Sequence, residues 1–167
     1  MKKQRSTLSV AAWKLSTHIE ATRDIQNQEG TPAYGCECEW CMYWKSVYEE
    51  LLPEEIQEQL LRVGIQIENP TDLYQFRINK NSSAIRVVYH AVGKILSGSN
   101  QSQKSEVGKI LTYQTIRDEP YLSLAVFPQS QSFDASPELK DKMAGDLIRI
   151  DFRLDVPSSC VSSNMVT

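Results

Sequence analysis

Three cysteines fall within six residues, Cys36, Cys38 and Cys41, in the stretch GCECEWCMYW. A C-x-C that runs into a C-x-x-C is a compact donor set for zinc, which takes four tetrahedral ligands and accepts thiolates two to four residues apart. If residues 35–38 are extended, Cys36 and Cys38 point to one side, because side chains alternate along a strand. Cys41, one turn into a following helix, then comes close to Cys38, and the three sulfurs can converge. A fourth ligand has to come from elsewhere: His90 in VVYHAVG, His18, Cys160, water or a partner chain. His90 lies in the middle of an expected strand, which would fix it, although it also reads as a hydrogen-bonded histidine at a sheet surface. His18 reads as a solvated helix residue near the cluster, and Cys160 as part of a tail.

The pair Cys38 and Cys41 also permits redox chemistry. A cysteine at a helix N-terminus has its thiolate stabilised by the unpaired N–H groups and the helix dipole. Glu37 and Glu39 flank Cys38 and oppose that charge, and no βαβ unit precedes the motif. Zinc tolerates the same glutamates better, since its own charge offsets them. Three unligated, partly buried thiols are the third reading. There is no nucleophile elbow, P-loop or dinucleotide-binding glycine pattern, and the chain has only seven glycines. Glu54, Glu55, Glu58 and Glu68 read as a solvated helix face and a loop. No catalytic residue and no organic cofactor is therefore expected, and zinc is the one cofactor the residues suggest.

The elements that would position these groups follow from periodicity. Leu8, Ala11, Ala12, Leu15, Ile19 and Ile25 recur at helical spacing, predicting a helix from Leu8 to Gln28 that ends at Gly30 and Pro32. A second helix runs from about Cys38 to Leu52, and Pro53 opens a third that Gly64 caps. Trp13, Trp40 and Trp44 serve first as core anchors and second as a partner-binding patch. Beyond Pro70 the period becomes two. Strands are expected over Leu73–Ile78, Ala84–Leu96, Val107–Ile116 and Tyr121–Phe127, the last buried on both faces, with a turn over Asn79–Ser83. SGSNQSQKSE reads as a flexible tip, and Pro137–Ala144 as a short helix. In the final strand Ile148, Ile150, Phe152, Leu154 and Val156 alternate with Arg149, Asp151, Arg153 and Asp155, which predicts a core face and a charged ladder in water. The fold class is α+β: N-terminal helices over about 8–64 packed on an antiparallel meander of about five strands, with a short helix before the last strand. Residues 1–157 form a single domain and 158–167 a tail.

At 167 residues, 41% hydrophobic and 23% charged, the chain has the composition of a soluble globular domain. It can bury roughly two-thirds of its unfolded surface, so it needs no metal in order to fold. A net charge of −3 offers no basic stripe for nucleic acid, and the short MKKQR start is its one basic cluster. No segment is long and apolar enough for a membrane span or a signal sequence. A cytoplasmic location is expected, where close cysteines are more often thiols or metal ligands than disulfides.

The stretch GCECEWCMYWKSVYEELLPEEIQEQLLRVGI and the later YHAVG resemble small uncharacterised proteins of Firmicutes and their mobile elements. Those proteins carry a C-x-C-x-x-C, then Asn-Phe, Leu-Pro, Leu-Gly-Ile and an aromatic-His-x-x-Gly strand. The matching pieces are Cys36, Cys38, Cys41, Leu52-Pro53, Val63-Gly64-Ile65 and the run from Tyr89 to Gly93, spanning residues 34–95. The chain departs from the pattern at Tyr43-Trp44, which changes the packing just below the cysteines. The resemblance implies a prophage or conjugative-element setting without a known activity, and it makes His90 the preferred fourth ligand. The expectation is a non-enzymatic protein that acts by binding another protein, with a structural zinc site; the alternative is a zinc- or thiol-dependent hydrolase or redox enzyme that uses the same cysteines.

Overall fold

The computed structural model describes residues 5–79, 82–98, 102–105, 108–111 and 113–156. The expected tail, Cys160 within it, and most of the basic start lie outside the described residues. The N-terminal region is not the long helix that the spacing predicts. Leu8, Val10, Trp13 and Leu15 are buried on one face of a hairpin, strands β1 (Arg5–Val10) and β2 (Trp13–His18). Val10 pairs with Trp13, so Ala11 and Ala12 form a two-residue turn, with Ala11 at φ 50°. The helical spacing is a coincidence across that turn: both alanines are exposed, and the true period on either side is two. Only Ile19–Asp24 (α1) is helical in this region.

Helices α2 (Glu39–Leu51) and α3 (Glu54–Arg62) form where the apolar stripes place them. Pro53 is the residue before α3 rather than its first turn, and Gly64 follows the helix at φ +91°, a conformation that costs glycine little. Trp40, Trp44, Ile56 and Leu60 bury the inner sides of the two helices against the sheet.

Seven strands make that sheet instead of about five. After β3 (Asp72–Asn79) and β4 (Ser82–Ser97), β5 (Ser102–Ser105) and β6 (Gly108–Leu111) form a separate two-stranded ribbon, so the expected flexible tip contains a strand. Then follow β7 (Gln114–Arg117), β8 (Leu122–Pro128) and β9 (Asp146–Val156). The main sheet has the order β1-β2-β4-β9-β8-β7, with β3 also on β4, and every pairing is antiparallel. The α+β class holds. The short helix over 137–144 does not form; a single 3-10 turn at Gln129–Gln131 lies between β8 and β9. Tertiary contacts hold that segment open instead, because Gln28 both donates to the Glu138 carbonyl (2.8 Å) and accepts its N–H (2.7 Å).

The 16-residue β4 carries two neighbours on one edge, β3 along its first half and β2 along its end. Helix α1 fills the gap between them. The Thr22 hydroxyl accepts the Val92 N–H (3.0 Å), and the Gln26 amide donates to the His90 carbonyl (3.2 Å), so side chains satisfy the backbone groups a strand would otherwise pair. Where β2 begins to pair, Gly93 is required: a Cβ there would sit 1.9 Å from the Ser16 carbonyl oxygen.

β4 and β9 lie at the centre and have two unlike faces. Ile85, Val87, Tyr89 and Ala91 with Ile148, Ile150, Phe152 and Leu154 form the apolar face under α2 and α3. Tyr89 packs edge-on against Phe152 at 6.0 Å. The Trp44 indole donates to the Tyr89 hydroxyl (2.9 Å), which donates to the Ile67 carbonyl (2.5 Å). The opposite face is polar yet also covered. Arg149 and Asp151 are completely buried, so the expected charged ladder in water is wrong for these two. The reason is position: β9 is flanked by β4 and β8 and its outer face is overlaid, whereas a ladder in water needs an open face.

Candidate metal centre

The loop that enters α2 is wound by local bonds. The Tyr34 N–H reaches the Thr31 carbonyl (3.0 Å) and the Cys36 N–H the Ala33 carbonyl (3.2 Å), while the Ala33 N–H ties the loop to Thr71, just ahead of β3 (3.4 Å). Cys38 then occupies the N-cap of α2, its sulfur accepting the Cys41 N–H at 3.5 Å, and the Cys36 sulfur accepts the Cys38 N–H at the same distance. The sulfurs of Cys36, Cys38 and Cys41 all lie within 4.8 Å of one another. The convergence expected from the spacing is therefore present, and the three residues could hold a metal ion.

The thiols differ in their readiness to ionise. Slight burial works against the Cys38 thiolate, but the N–H of Cys41 and the neighbouring thiols outweigh it and hold Cys38 below the ordinary thiol value. Burial, reinforced by the Cys36 and Cys38 sulfurs, pushes Cys41 far above it. Of these two thiols the exposed Cys38 is the readier to ionise, and a cation held by the cluster would take the place of thiol protons.

His90 does not join this group. It alternates with Tyr89 along β4 and so faces away from α2, on the polar side of the sheet. It is fully buried, with Nδ1 2.7 Å from the Thr71 hydroxyl and Nε2 2.7 Å from Gln129 Oε1. Burial, with Arg149 adding to it, lowers its pKa to about 4 against the help of Gln129, so the ring is neutral near pH 7. The fourth-ligand expectation for His90 is corrected on that ground: both ring nitrogens already have partners. His18 is not a solvated helix residue either. It is buried at the end of β2, and its Nδ1 accepts the Ala21 N–H (3.1 Å) to cap α1.

A second constellation, which sequence reading missed, shares the His90 face of the sheet. Arg86 grips Asp151 with both edges of its fork, Nε to Oδ1 at 3.2 Å and Nη2 against Oδ2. Arg149 Nε reaches the same Oδ2 at 3.2 Å, and its Nη2 lies 3.2 Å from Asp134. Arg86 also sits over the rings of Tyr74 (5.1 Å) and Tyr113 (5.7 Å). Burial raises the Asp72 pKa nearby, with the Leu73 N–H and Arg149 pulling the other way. The signal in the sequence was the alternation Arg149, Asp151, Arg153; what it lacked was the central place of β9.

Among the described residues, no helix is long and apolar enough to cross a membrane. Compared with models of protein families, with curated proteins and with solved structures, the chain matches none, so the site is read from its own geometry.

Proposed function

We propose that this chain is a non-enzymatic cytoplasmic protein that binds another protein, and that Cys36, Cys38 and Cys41 hold a structural zinc ion. The observation that carries the metal reading is the convergence of the three sulfurs within 4.8 Å. Thiolates suit zinc, and the cation pins the loop over 32–38 to the start of α2. Water or a side chain of the partner supplies the fourth position. Tyr34 and Met42 support the binding reading: both are half exposed beside the cysteines and give the corner an apolar rim.

Elemental analysis of protein purified without added metal, together with thiol counting before and after chelation, tests the proposal. About one zinc per chain, lost in Cys36→Ser, is the expected result. No metal and four freely reactive cysteines would end the zinc reading. The exposed, acidified Cys38 favours a second reading, thiol chemistry. That reading requires rapid selective alkylation of Cys38 in the metal-free chain.

A further inference from the structure

On the outer side of the ionic network lies a cavity of about 330 Å³ lined by Tyr74, Arg86, Tyr113 and Arg153. Two arginines and two tyrosines line it, and among the described residues no carboxylate does. Arg86 and Arg153 are direct cross-strand partners on β4 and β9. Side chains so placed have Cβ atoms about 5 Å apart, and like charges there repel. Counter-charges answer both arginines. Asp151, fully buried beneath the cavity, engages Nε and Nη2 of Arg86 and is shared with Arg149. Asp155, two residues along β9, offsets part of the charge of Arg153 without lining the cavity. Arg86 is held by the Asp151 carboxylate and by the two tyrosine rings beside it, and it lines the cavity with Arg153.

We propose that this cavity binds a small organic oxyanion, a carboxylate or a phosphate monoester, that carries a planar apolar group. The oxyanion lies between Arg86 and Arg153 and accepts charge-assisted hydrogen bonds from both. The planar group packs against Tyr74 and Tyr113. The volume is at the low end for small-molecule sites, so the ligand is a single compact molecule and not a polymer. A guanidinium already oriented by Asp151 has little freedom to lose on binding, which favours affinity in so small a site.

The test is calorimetric titration of the full chain with inorganic phosphate, phenyl phosphate and benzoate at fixed ionic strength. Saturable binding of a ring-bearing anion is expected, several-fold tighter than inorganic phosphate. Whichever of phenyl phosphate and benzoate binds more tightly identifies the head group. Arg153→Gln should weaken it roughly tenfold, with thermal unfolding measured alongside so that lost binding is separated from lost fold. Tyr74→Leu should abolish the preference for the ring and spare inorganic phosphate. Should Arg153→Gln fail to fold, Arg153→Lys keeps the charge, removes the planar fork and is read in the same way. The proposal is overturned by no saturable binding of any of the three, by undiminished binding in the Arg153 and Tyr74 variants, or by inorganic phosphate binding as tightly as phenyl phosphate.

Discussion

The two faces of the β4–β9 pair use the same backbone and the same alternation, yet they are held together by different physics. Under α2 and α3, Tyr89, Ile150 and Phe152 gain from leaving water, and each contact is small and non-directional. On the opposite face Arg86, Arg149, Asp151 and His90 lose hydration and recover it only through specific partners. The first face tolerates an imperfect neighbour; the second depends on all its members being present. Burial alone therefore does not rank these residues by importance.

The sharpest way to break this comparison is to remove the shared carboxylate. Asp151→Asn takes from Arg86 and Arg149 the carboxylate they share, leaving Arg149 with the exposed Asp134 alone, and should cost about 4 kcal/mol in urea unfolding. Replacing Arg86, Arg149 and Asp151 together by apolar residues of similar size should recover most of that loss, since a buried ion network contributes little net stability against a packed apolar core. If the triple variant is no better than Asp151→Asn, the two faces do not differ as described. On the apolar face, Phe152→Ala should cost about 3–4 kcal/mol by leaving a cavity, with no comparable rescue by deleting neighbours.

Acid separates the faces next. The folded pKa of His90, about 4, lies below its ordinary 6.5. Between these values the unfolded chain binds a proton that the folded chain refuses. Stability is fully present above pH 6.5, falls as the pH drops toward 4, and loses about 3 kcal/mol in all from this group. His90→Gln should flatten that part of the pH profile, read as the difference between the two unfolding curves. The smallest effect is expected at Tyr89→Phe, which removes a hydroxyl bonded to Trp44 and Ile67 at a cost of about 1–2 kcal/mol.

What the sequence disclosed depended on range. The cysteines meet because all their geometry is local: three residues, one turn and one helix start. Helices α2 and α3 and strands β3 and β9 were legible from their unbroken periods, and β4 and β8 as long runs of apolar and β-branched residues. The hairpin over 5–18 was not, because two alanines at its turn completed a false helical stripe. The ring partners of His90 lie 19 and 39 positions away, and the carboxylate that Arg86 grips lies 65 away, so no local pattern could pair them. The pattern did separate the two faces of β9; it could not say that the charged one would be enclosed, since that depends on which strands flank it.

The length of β4 bears on how the protein is made. One of its edges is served by residues earlier in the chain, from β2, α1 and β3, all of which leave the ribosome before or with it. The other edge pairs with β9 from Ser83 to Gly93, and that strand begins only at Asp146. While the intervening fifty or so residues are being synthesised, for seconds at ordinary elongation rates, the nascent chain presents a long, flat, half-apolar strand edge with nothing to bond. Translation speed across residues 98–146, and any chaperone that shields that edge, therefore bear on the yield of native protein alongside its final stability.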